Sequence, residues 1–189
     1  MPYDRAWFLT WHTYGTWLPG SRKGFVSALR NAEGDAEIHN IPGTRIDSDS
    51  PHLEAWSKRR LKSKPIILTK RQARSLADQF LETATIRTWT LFAFAIVTNH
   101  VHVVLGVPGD PEPEELTGDL KSFGSRTLNR SFARPKSGTW WTQSGSHRKL
   151  AHEAAILGAV RYTIEQEGAL VIWTAPIPEL NLSGGYLLR

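Results

Sequence analysis

FAFAIVTNHVHVVLGVP, residues 92–108, reads as a strand, a short polar turn and a second strand. The largely apolar run from Trp89 to Val97 suits a strand buried on both faces. Thr98-Asn99 is a candidate hairpin turn, and a second strand follows over His100–Val107. Side chains alternate between the faces of a strand, so His100 and His102 share one face while Val101 takes the other. Two imidazoles on one face of a rigid strand can hold a divalent metal if a third ligand comes from elsewhere. With seven histidines in 189 residues, a His-apolar-His triplet arises by accident in roughly one such chain in ten, so it gains meaning only from a partner.

The rest of the chain narrows the setting. At 189 residues, 40% hydrophobic and 22% charged, it has the composition of one globular domain with room for an insertion. No apolar run approaches the ~18 residues of a membrane span, and polar breaks in residues 1–20 argue against a signal peptide, so a cytoplasmic protein with no membrane partner is expected. The absence of cysteine excludes disulfides, thiolate metal sites and cysteine nucleophiles. The formal net charge is +5, which favours a polyanionic partner. Lys58, Arg59, Arg60, Lys62 and Lys64 carry five positive charges in seven residues with no acid between them. Such a run is either a solvated helix end or loop, or a nucleic-acid contact. Eight tryptophans could include stacking surfaces for unpaired bases, although core packing accounts for most.

Working outward from the hairpin, residues 6–14 (AWFLTWHTY) have the β-branched and aromatic content of a strand, ended by Gly15 and the Trp17–Gly20 stretch. Residues 21–64 have little periodicity and read as an inserted excursion with some local structure. Thr69 and Gln72 fit a capping box. After it, Ala73, Leu76, Ala77, Phe80, Leu81 and Ala84 recur at helical spacing. A second helix is expected from Pro113 to Phe132, with Leu116, Leu120 and Phe123 inward and Lys121, Arg126 and Arg130 elsewhere. Residues 134–149 read as a strand or hairpin. A last helix is expected over Leu150–Glu167, with Ile156, Leu157, Val160 and Ile164 on one side and Tyr162 roughly opposite. Ala169–Trp173 reads as a further strand, and the tail over residues 174–189 as a loop.

Tyr162 matters because of what stands beside it. A phenol has a pKa of ~10 and is only ~0.1% ionised at pH 7, so to act as a nucleophile it needs a base, a cation or a strongly electrophilic target. A metal held by two histidines and an amide oxygen could make a phosphate such a target. Gln166, four residues after Tyr162, would place an amide oxygen on the same helical face. His100, His102, Tyr162 and Gln166 together describe metal-assisted transesterification at phosphate. The bland reading is a half-exposed tyrosine packed on a loop.

These residues resemble a known family. Asn99-His-Val-His-Val-Val104, followed some sixty residues later by Tyr162-Thr-Ile-Glu-Gln166, is similar to the single-tyrosine HUH transposases of small insertion sequences and the related REP-associated tyrosine transposases. The segments Trp11–Gly20 and Trp141–Ser146 share the likeness, which covers residues 6–20 and 66–173 and omits the excursion and tail. The resemblance implies a ferredoxin-like α/β fold, an antiparallel sheet with helices on one face. It also implies a Tyr162 nucleophile, His100, His102 and Gln166 as ligands to Mg²⁺ or Mn²⁺, and a 5′-phosphotyrosine link to single-stranded or hairpin DNA. REP-associated members often carry Asn-Pro where this chain has Gln166-Glu167, which places the match nearer the insertion-sequence type. A homodimer sharing its tyrosine helices, or a monomer, would each suit the family.

Lys58, Arg59, Arg60, Lys62, Lys64, Lys121, Arg126 and Arg148 are the candidate DNA contacts. His147 is open between DNA contact and loop solvation, and His12, His39, His52 and His152 read as surface or packing residues. Two rival functions remain: a domesticated, non-catalytic binder of hairpin DNA, and a metal-dependent phosphodiesterase that uses water.

Overall fold

A computed structural model describes residues 3–21, 28–30, 36–38, 51–143 and 145–187. The elements in chain order are β1 (Arg5–His12), β2 (Ala28–Arg30), β3 (Ala36–Ile38), α1 (Pro51–Arg59), α2 (Lys70–Ile86), β4 (Thr90–Ile96) and β5 (His100–Val107). After these come α3 (Pro113–Ser131), β6 (Ser146–Leu150), α4 (Glu153–Ile164), β7 (Val171–Ile177), a 3₁₀ turn (Pro178–Leu180) and β8 (Leu182–Leu187). Six strands form one antiparallel sheet in the order β6-β1-β5-β4-β7-β8, and β2 pairs with β3 separately. This is the mixed α/β class expected, with the histidine strand β5 in the sheet interior.

The opening hairpin forms as its sequence suggests. Val97 N–H donates to the His100 carbonyl at 2.9 Å across the Thr98-Asn99 turn. Strand β5 is paired on both edges, by β1 and β4, and its side chains are covered on both faces. Val101, Val103 and Leu105 enter a core with Leu9, Trp11, Phe80 and Phe94, while Val104 enters a second core with Ala93, Ile156 and Val160. The first core is closed by α2 and α3. Gly124 of α3 permits their close approach, since a Cβ there would meet Leu76 Cδ2 at 2.9 Å. The expected capping box is present: the Thr69 hydroxyl accepts from Gln72 N–H, and Gln72 Oε1 accepts from Thr69 N–H.

The second core belongs to α4, so the helices lie on both faces of the sheet, not on one. The reason lies in β5 itself: with apolar side chains pointing both ways, each face requires a cover. Helix α4 begins later than expected, at Glu153 with the His152 side chain accepting from Ala155 N–H, because Leu150 still belongs to β6. Its buried positions are Ile156, Ala159, Val160 and Thr163. Leu157 and Ile164 are only half-buried.

The tail corrects another expectation. Residues 174–177 continue β7, and β8 pairs with it from Ile172↔Leu187 to Ile177↔Leu182, so most of the supposed loop is sheet. Alternation of apolar residues is weak in Leu182–Leu187, where two glycines stand, and only pairing with β7 organises the segment. Residues 22–27, 31–35 and 39–50 of the excursion, with His39, lie outside the described residues. The described remainder holds the β2–β3 pair and α1. Among the described residues no helix is long and apolar enough to cross a membrane.

Candidate active site

Strand pairing assembles the site. In the β1–β5 register His12 stands opposite His100, and Thr10 opposite His102, so all four side chains share the α4 face of the sheet. The His100 and His102 rings are 4.7 Å apart between centroids. From α4, the Tyr162 ring reaches within 5.4 Å of the His102 ring and 5.8 Å of the Phe8 ring. Tyr162 is 51% exposed, whereas His102 beneath it is 5% exposed. The Tyr162 ring therefore stands beside the histidine pair.

The second ring nitrogens are held from behind. His100 Nδ1 lies 2.7 Å from Asn99 Oδ1. That oxygen can only accept, so Nδ1 carries the proton and Nε2 the lone pair a metal would take. His102 Nδ1 lies 2.7 Å from Thr10 Oγ1, which fixes the orientation of that ring. Burial, then the neighbouring His100 and His12, push the His102 pKa down to about 3, opposed in part by a hydrogen bond with Gln166. His102 is thus the neutral imidazole that metal ligation requires.

Gln166 reaches the site by a different route from the one its spacing implied. Helix α4 ends at Ile164, and Gln166 lies just beyond it in the turn. Its side-chain Nε2 donates to the Tyr162 carbonyl at 3.1 Å. The contact with His102 sets its amide against the histidine pair. Among the described residues, no group of three or more His, Cys, Asp or Glu side chains is placed to hold a metal. His100, His102 and the Gln166 amide are the neighbouring groups that could supply nitrogen and oxygen donors to one.

His12, read from the sequence as a surface or packing residue, belongs to this row. Its ring lies 5.6 Å from that of His100 and stacks on Trp17 at 4.4 Å. The signal that could have found it is the antiparallel register of β1 with β5, invisible until the strands are paired. A cleft of about 1440 Å³ takes in Tyr162, His102, His12, Trp17 and, from α3, Lys121.

The basic candidates separate by position. The Arg148 guanidinium lies 5.3 Å from the Phe8 ring centre, on the tyrosine face. His147, one residue earlier, faces the other way and contacts Thr117 and Glu114 on α3. Lys121 donates to the Thr142 and Gln143 carbonyls, and burial lowers its pKa to about 8. Arg126 stands away from the cleft, beside Phe123 with Arg87 and Arg130 in a crevice between α2 and α3. Lys58 pairs with Glu54, and Arg60 stacks on Trp56. Arg59, Lys62 and Lys64 are exposed. The end of this basic run is anchored beside the cleft: Leu61 packs on Gly15, and Lys62 N–H donates to the Tyr14 hydroxyl at 2.7 Å.

A family model described as IS200-like transposase matches residues 56–152, more than half of the chain. The match contains His100 and His102 and stops before Tyr162 and Gln166. A solved structure described as a REP-associated tyrosine transposase bound to a REP hairpin is similar at 12% identity, with a TM-score of 0.45. The likeness covers 85% of this chain and 66% of that one, just under two thirds of its length. No curated protein matches the chain by sequence.

Proposed function

Because the chain belongs to the IS200-like transposase family, we propose that it nicks single-stranded DNA and transfers the cut strand, with Tyr162 as nucleophile. The observation that carries this reading is the closeness of the Tyr162 ring to His102, which has His100 beside it and a hydrogen bond with Gln166. The family match supplies the reaction class, and the geometry supplies residues for it.

In the proposed reaction the Tyr162 oxygen attacks a DNA phosphorus and the P–O3′ bond breaks. The phenol proton leaves the tyrosine, and the departing oxygen ends as a free 3′-hydroxyl. The fragment on the 3′ side of the cut remains attached through its 5′-phosphate as a phosphotyrosine. Attack on that phosphorus by another 3′-hydroxyl breaks the tyrosine–phosphorus bond, rejoins a strand and returns the phenol, so no nucleotide is consumed. A divalent ion, Mg²⁺ or Mn²⁺, held by His100, His102 and Gln166 would withdraw charge from a non-bridging phosphate oxygen. Asn99 and Thr10 orient the two imidazoles, and the Gln166–Tyr162 hydrogen bond ties the amide to the nucleophile's own backbone. Arg148 and Lys121 would meet phosphates on either side of the tyrosine.

The test is a single-stranded oligonucleotide library incubated with the protein and Mn²⁺, read by denaturing electrophoresis for a protein–DNA adduct. An adduct is expected in the wild type and none in Tyr162→Phe. An adduct that persists in Tyr162→Phe removes Tyr162 from the nucleophile's role. DNA binding with no adduct in any metal points instead to a non-catalytic binder.

A further inference from the structure

Aromatic rings cross the sheet in an unbroken row. Tyr162 meets His102 at 5.4 Å, His102 meets His100 at 4.7 Å, His100 meets His12 at 5.6 Å, and His12 stacks on Trp17 at 4.4 Å with an interplanar angle of 29°. The nicking chemistry uses only the α4 end of this row. His12 and Trp17, at the other end, have no part in it, yet they line the same cleft as Tyr162.

We propose that Trp17, held in place by its stack on His12, is a platform for one unpaired nucleobase flanking the scissile phosphate, on the side of the histidine pair away from α4. The proposal rests on the single-strand nicking reading and adds the path of the strand. Three observations point to DNA as the occupant. Indole rings stack on any base and need no particular sequence, which suits a half-buried tryptophan beside a phosphate-directed site. The loop that carries Trp17 is the one on which the basic run is anchored, through Leu61 on Gly15 and Lys62 N–H on the Tyr14 hydroxyl. The backbone of Lys62 therefore adjoins the Trp17 loop, so that the exposed Lys62 and Lys64 could meet phosphates of a strand leaving Trp17. Gly15, with φ of +75°, gives the left-handed turn that returns the chain from β1 so that Trp17 folds back over His12.

A base stacked on Trp17 would also fix which phosphate lies under Tyr162, since the next phosphate along a strand is one nucleotide away. Trp17 would then set the position of the cut as well as affinity.

The experiment uses the full chain and a fluorescein-labelled oligo-thymidine without metal, so that binding is read apart from cleavage. Trp17→Ala is expected to weaken binding roughly 5- to 100-fold, the range for loss of one stacked base. Trp17→Phe should recover most of the loss, and the dependence on salt should keep its slope in both variants. Thermal unfolding of each variant controls for damage to the loop. In a series of oligonucleotides with one abasic site moved along the strand, the wild type should show a penalty at one position that vanishes in Trp17→Ala. Equal binding by Trp17→Ala overturns the platform. So does a loss that Trp17→Phe shares and that changes the salt slope, because phosphate contacts would then be responsible. Absence of binding by the wild type overturns both this proposal and the reading beneath it. Trp17-dependent binding with no tyrosine adduct keeps the platform and removes the nicking reading alone.

Discussion

In the proposed metal site, Asn99 would matter without touching the metal. Its Oδ1 fixes the proton on His100 Nδ1, and such supporting bonds typically carry a 10- to 100-fold share of metal affinity. Asn99→Ala should therefore weaken Mn²⁺ binding by about that factor, measured by calorimetric titration, with the melting temperature of the metal-free protein nearly unchanged. Unaltered Mn²⁺ affinity in the variant would mean that His100 is not a ligand. Lys121 makes a separate case. Burial lowers its pKa to about 8 from an ordinary 10.5, so between those values the unfolded chain holds a proton that the folded chain has released. Unfolding takes up that proton, and stability contributed through Lys121 rises with pH across this window and is flat below it. Single-strand affinity should move oppositely, falling as pH passes 8 and the cation is lost. Lys121→Met should remove both trends, as read by urea midpoints and by fluorescence anisotropy at matched pH values.

At the scale of elements, α2 is the most independent piece. Its start is fixed by the Thr69–Gln72 capping box, and Thr69→Ala should cost about 1 kcal/mol of stability by urea unfolding while leaving DNA adduct formation intact. That helix, the β4–β5 hairpin and α3 were legible in the sequence because each is decided by local signals: a cap, a 3.6-residue apolar stripe, a strict run of β-formers. The β5 bounds agree with expectation to the residue. What escaped was non-local. β8 is organised by pairing with β7, His12 gains its meaning only from the register of β1 on β5, and the side of the sheet taken by α4 depends on which face β5 leaves uncovered. The Gln166 position was legible in spacing but not in mechanism. It reaches the site from the turn after α4, by hydrogen bonding and not by helical periodicity.

For the whole molecule, the +5 net charge is less informative than where the cations stand. The backbone of Lys62 is tied to Tyr14 at the cleft, Arg148 lies over Phe8, one of the cleft's lining residues, and Arg126 is turned to another crevice. Replacing Lys62 and Lys64 together with alanine should lower the slope of log affinity against log salt by about 0.7 for each phosphate no longer neutralised, as expected for single strands. Arg126→Ala should leave that slope unchanged. Equal effects from both changes would mean that DNA does not follow the cleft.

The two halves of the candidate chemistry sit on supports of very different persistence. His100 and His102 belong to a strand hydrogen-bonded on both sides, by β1 and by β4, while Tyr162 stands in the last turn of a helix that ends at Ile164. Amide hydrogens of residues 101–105 should exchange with deuterium among the slowest in the chain, and those of residues 162–166 among the fastest, since helix ends open without global unfolding. Fluctuation of that last turn would let the tyrosine, once linked to DNA, swing away with its cargo and leave the histidines stationary for the next strand.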